Sequence, residues 1–173
     1  MQKPSLFRRD YKDEARPQGF SFLLRPTLRE FNDFVLLLDK MLSENLDKDF
    51  FRGDIGLEEE VTRKDGNVIV NPKGTITLLD EWIKLKFRTT HQNTIQAIEE
   101  TINTFRKARK LRQQPAHAIH ENEFNQEFFH RQRELMKEAY FAVTTLRNLF
   151  HLHPNAREYK IPNWLLSGEI WTE

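Results

Sequence analysis

The chain has 173 residues, with 27 lysines and arginines against 26 acidic residues, a formal net charge of +1 at pH 7 and no cysteine. That length fits one domain with a sizeable core, and the near balance of charge excludes a global field pulling the chain toward nucleic acid, so any basic patch must be local. The lack of cysteine excludes a disulfide framework, thiolate catalysis and thiolate-held metal. Charged residues make up 31% of the chain and the mean hydropathy is −0.70, yet 14 phenylalanines and 3 tryptophans supply bulk for a core. The N-terminal stretch lacks the long apolar stretch of a secretory signal, and the longest apolar run, Phe34 to Leu38, is far too short for a bilayer span. A soluble, cytoplasmic protein with no membrane contact is expected.

Residues 1–19 are polar and mixed in charge, broken by Pro4, Pro17 and Gly19, and read as an irregular lead-in. Residues 20–173 then read as a single helical domain. Pro26 and Thr27 open the first helix, with Thr27 and Glu30 in a capping-box spacing. Phe31, Phe34, Val35, Leu38, Met41 and Leu42 recur at three and four residues and give it one apolar face. It should run to about Leu46, with Gly53 beyond it as a breaker. Between Glu58 and Val70 the period changes. β-Branched residues flank Lys64-Asp65-Gly66-Asn67, and Asp-Gly between such runs signals a hairpin. A second helix is predicted over Thr75–Phe87, with Ile76, Leu79, Trp82, Ile83 and Phe87 on one side. A third spans Asn93–Arg112, its face lined by Ile95, Ile98, Ile102, Phe105 and Ala108, and Pro115 ends or kinks it. The last long helix covers Asn125–His151, with Phe128, Leu135, Ala139, Ala142, Val143, Leu146 and Leu149 as its core stripe. Pro154 stops it, and the apolar tail from Arg157 to Glu173 is expected to pack back on the helices or onto a partner. The fold class is therefore all-α: an antiparallel four-helix bundle with a small inserted β-hairpin.

The stretch with most chemistry is Arg106 to His117, RKARKLRQQPAH. A basic run, Arg106, Lys107, Arg109, Lys110 and Arg112, gives a local footprint for a phosphate backbone, although a solvated helix face near a C-terminus would carry the same charges. Arg112 and His117 flank four residues, and Pro115 between them can turn the chain so that the two converge. A guanidinium fork fits phosphate oxygens in paired bonds, and histidine transfers protons near neutral pH. With Gln113 to orient, they are a minimum kit for cleaving RNA through its own 2′-hydroxyl, which requires a base, an acid and charge stabilisation at phosphorus. One histidine is thin for both proton transfers, and two copies across a twofold axis would supply a pair.

Arg112-Gln113-Gln114-Pro115-Ala116-His117 resembles the motif of the HEPN superfamily, an arginine and a histidine separated by four to six residues just before a bundle's last long helix. The resemblance covers about Thr27 to His153. It implies a dimeric, metal-independent endoribonuclease without a cofactor, with Arg112, His117 and Gln113 catalytic and Arg106, Lys107, Arg109 and Lys110 on the RNA. Single-stranded or exposed loop RNA, tRNA included, is the implied substrate, and a role in antiviral defence or growth arrest, with an antitoxin or other regulatory partner, is the implied setting. Gln113 departs from the asparagine, aspartate or histidine commoner after the arginine. A second match, Arg147-Asn148 followed by His153, has the more usual residue after its arginine but lies deep in the last helix, beside the core-like Leu149 and Phe150. Two groups, His117, His120 and Glu121, and His151 with His153, lack the spacing of a zinc site, and no metal is expected. The alternative is a non-catalytic helical interaction module for a protein partner or nucleotide, docking through Trp164 to Trp171.

Overall fold

A computed structural model describes residues 4–9, 25–113, 122–153, 156, 160, 161 and 163. The chain is mostly helical, and the described residues contain four α-helices, α1 (Leu28–Asp39), α2 (Thr75–Lys86), α3 (Gln92–Gln113) and α4 (Glu127–His151), and a two-stranded antiparallel ribbon of β1 (Glu58–Thr62) and β2 (Val68–Pro72). None of these helices is long and apolar enough to cross a membrane.

The expected start of α1 is present. Thr27 is extended, and its side chain accepts from Glu30 N, satisfying one of the orphan donors of the first turn. The Glu30 carboxylate accepts from Arg25 N and Nε, fixing the approach to the helix. Phe31, Phe34, Val35 and Leu38 are buried. The helix does not run on unchanged to Leu46. After Asp39 it widens into a π turn, Lys40–Glu44, closed by Asn45 N donating to Lys40 O at 3.0 Å. A short 3₁₀ segment, Lys48–Phe51, follows and buries Phe50 and Phe51. The chain before α1 is tied to the far end of this region: Phe7 bridges Leu46, Asp47 N donates to Leu6 O, and Leu6 joins the core.

The hairpin forms where Asp-Gly places it, with Glu58 opposite Pro72 and Thr62 opposite Val68. Gly66 takes a φ of +83°, a left-handed conformation that glycine reaches without a Cβ clash, and donates to Arg63 O at 2.9 Å. Both strands remain largely exposed.

α3 is the central helix, packed on α1, α2 and α4. Ile98, Ile102, Phe105 and Ala108 are buried on it, together with Thr101 and Thr104, whose hydroxyls donate to the carbonyls of Ala97 and Glu100. An aromatic cluster closes the α2 side. Trp82 stacks on Phe150 with centroids 5.4 Å apart and meets Phe50 edge-on at 4.9 Å, while its Nε1 donates to Asp54. At the other end Thr27 bridges Phe124, Leu28 N donates to Glu123 O, and Phe31 stacks on Phe128 under the guanidinium of Arg131. α1 and α4 thus begin side by side, at one end of the molecule, which strict up-and-down alternation would not give for first and fourth helices. On α4 the expected stripe is buried except for Val143, which is 42% exposed. Gln132 takes a buried place in the stripe instead.

Candidate functional site

Arg112 lies in the last turn of α3, one residue before its end at Gln113. Its guanidinium is not directed at open solvent. Arg112 Nη1 donates to Asp39 Oδ2 at 2.8 Å and also to Glu44 Oε1. Arg109, one turn back on the same helix, donates from Nε to the other oxygen of Asp39 at 2.9 Å. One carboxylate therefore carries two arginines, one on each oxygen. The Asp39 side chain is 0% exposed, those of Arg109 and Arg112 are 33% and 30% exposed, and that of Glu44 is 41% exposed.

The π turn makes this arrangement. In an ideal α-helix residues five apart point about 140° away from each other. A π turn takes more residues per turn, so Asp39, just before Lys40–Glu44, and Glu44, its last residue, reach the same guanidinium. Within the turn Ser43 is fully buried. Its carbonyl accepts from Thr75 Oγ1, while its own Oγ has no hydrogen-bond partner among the described residues.

The electrostatics follow. Two guanidinium charges against Asp39 leave one positive charge, which Glu44 neutralises. The hydrogen bonds that Arg112 donates to Asp39 and then to Glu44 raise its pKa above the ordinary value, outweighing the desolvation that opposes them. Arg112 is therefore a permanent cation. It can bind and stabilise an anion but cannot serve as a base.

The remaining sequence-selected residues divide clearly. Gln113 is exposed at the helix end. His117 lies outside the described residues, as do His120, Glu121 and the tail from Trp164 to Trp171. In the basic run Arg106 pairs with Asp80 at 2.8 Å and Lys107 with Glu138 at 2.7 Å. Lys110 is exposed and has no carboxylate partner among the described residues. Most of the cationic footprint is thus matched by carboxylates of α1, α2 and α4. At the second motif, Arg147 Nε and Nη2 contact Asn148 Oδ1 at 3.3 Å, His151 and His153 are exposed, Leu149 is buried, and Phe150 belongs to the aromatic cluster. Among the described residues no group of three or more His, Asp or Glu side chains could hold a metal ion.

Asp39 and Glu44 were not marked by sequence reasoning. The signal for Asp39 was an acidic residue inside an apolar stripe, four positions after Val35, since a buried carboxylate requires a cationic partner. Glu44 had no comparable signal, because an unbroken α-helix would point it elsewhere. No family model, curated protein or solved structure matches the chain.

Proposed function

We propose that this protein is a HEPN-like, metal-independent endoribonuclease whose four helices form the family's bundle. Arg112 stabilises the phosphoryl transition state, His117 moves the proton, and Gln113 orients the phosphate or the imidazole. The observation that carries the reading is the fixed Arg112 guanidinium. It is held on buried Asp39 at the end of α3, five positions before His117 in the chain, and it remains partly exposed. A held cation loses little freedom on meeting a phosphate, which is how preorganised charge lowers a barrier. Only Nη1 of Arg112 is engaged by carboxylates among the described residues, which leaves Nε and Nη2 to donate. RNA contact outside the reacting phosphate falls chiefly to Lys110 and Arg109, with Arg106 and Lys107 contributing only where RNA displaces their carboxylates.

A twofold pair of chains supplies the second histidine. The contact surface for such a pair is taken to include α4, where Tyr140, Phe141 and Val143 are each exposed. A cytoplasmic setting, a tRNA or loop substrate, and an inhibitory partner complete the reading. The test is cleavage of labelled RNA in EDTA by the wild type and by Arg112→Ala and His117→Ala variants. Both substitutions are expected to abolish cleavage without unfolding the chain, and undiminished cleavage by His117→Ala would overturn the assignment.

The same carboxylate pairing favours a second reading, a non-catalytic interaction module in which the arginines serve only to join α1 to α3. In that case the folded wild type binds a partner through the exposed α4 face and does not cleave RNA.

A further inference from the structure

We propose that Arg109 and Arg112 form a two-guanidinium seat for a phosphate group and that Glu44 occupies this seat as an internal anion, to be exchanged for the phosphate of the substrate. The inference rests on the assignment of Arg112 to phosphate made above and adds two residues to it, Arg109 as a second contact and Glu44 as the group displaced.

The two carboxylates on Arg112 are not equivalent. Asp39 is 0% exposed and bonds both arginines. Its removal would strand two partly buried cations, so it is the permanent floor of the site. Glu44 touches Arg112 alone among the described residues, and its side chain is 41% exposed. A carboxylate in that position exchanges its ion pair for water at small cost. Once Glu44 leaves, the triad of Asp39, Arg109 and Arg112 carries one net positive charge. Its departure frees one side of Arg112 Nη1, next to the nitrogens already open, Nε and Nη2 of Arg112 and Nη1 and Nη2 of Arg109, none of which bonds a described residue. Two forks anchored on one carboxylate suit the several oxygens of a phosphate better than a single arginine does. The π turn gives the arrangement its specificity, since it is what carries Glu44 to the guanidinium.

Inorganic phosphate is the probe, titrated into the full chain and followed by phosphorus NMR line broadening. Glu44→Gln is expected to bind phosphate about fivefold more tightly than wild type, the scale of one partly exposed ion pair. Adding Arg109→Ala to Glu44→Gln should remove that gain. Glu99→Gln makes the same change in net charge at an exposed place on α3 and should leave affinity unchanged. Equal or weaker binding by Glu44→Gln, or an equal gain in Glu99→Gln, would overturn the proposal. Should Glu44→Gln fail to fold by circular dichroism, Glu44→Asp decides the matter. It keeps the charge on a shorter arm and should also bind more tightly, and unchanged affinity there counts against the seat. Tighter phosphate binding by a chain that cuts no RNA would sink the ribonuclease reading alone. RNA cleavage with phosphate affinity indifferent to Glu44 would sink the seat alone.

Discussion

Substituting Asp39 tests how much of the fold and of the site depends on one carboxylate. Asp39→Asn keeps the shape of the side chain and removes its charge. In the native protein that side chain is fully enclosed and accepts one bond from Arg109 at 2.9 Å and one from Arg112 at 2.8 Å. Breaking a buried ion pair from one side costs about 3–5 kcal/mol. Here the stranded partners are about one-third exposed, so water recovers part of the loss, and Arg112 keeps Glu44. The net destabilisation is therefore about 2–3 kcal/mol, near the value of a single well-made charged hydrogen bond. Urea unfolding measures it as a lower midpoint at unchanged slope. A double-mutant cycle between Asp39→Asn and Arg112→Leu should show strong coupling, because the two residues share one bond. A loss below about 0.5 kcal/mol, the ordinary scatter of surface substitutions, would refute the idea that Asp39 is the floor of the cluster.

Two further outcomes are expected. Ser43→Ala removes a buried hydroxyl that bonds no described group, so stability should be unchanged or higher, because no hydrogen bond is lost and a desolvated group is removed; a thermal midpoint several degrees lower would reveal a partner for Ser43 Oγ. The Arg112 pKa is raised in the folded state, so its stabilising contribution is complete below the unfolded value and fades only as pH rises through the higher folded one. The stability lost in Arg112→Leu should accordingly be the same at pH 7 and pH 10; a penalty that shrinks by pH 10 would contradict the assigned direction.

The elements legible in the sequence were those with local causes. Thr27 with Glu30 marked the α1 start, Asp65-Gly66 marked the hairpin turn, and apolar spacing placed α2, α3 and α4 to within a few residues. Periodicity measures amphipathicity but not which neighbour arrives, so Val143 fitted the core stripe of α4 and yet stands exposed, while Leu78, outside the predicted face of α2, is fully buried. The irregular lead-in hid a docked residue, Leu6, because a single bridge from its neighbour Phe7 to Leu46 has no periodic trace. At the site, Arg112 was legible as a candidate through its spacing to His117. Its partners were not, since they depend on a π turn that replaces one helical repeat by another and on contacts more than sixty positions apart in the chain. The basic run shows the same difficulty in reverse: five cations in seven residues read as a surface for phosphate, but the carboxylates that meet Arg106, Lys107, Arg109 and Arg112 come from three other parts of the sequence.

The measurement that bears most directly on the central claim is cleavage of a labelled tRNA and of total cellular RNA in EDTA, by the wild type beside the Arg112→Ala/His117→Ala variant. The account predicts chelator-resistant cuts that leave 2′,3′-cyclic phosphate ends in the first and none in the second, with both proteins folded. Cleavage that survives the double substitution, or a folded wild type that cuts neither RNA, would contradict it.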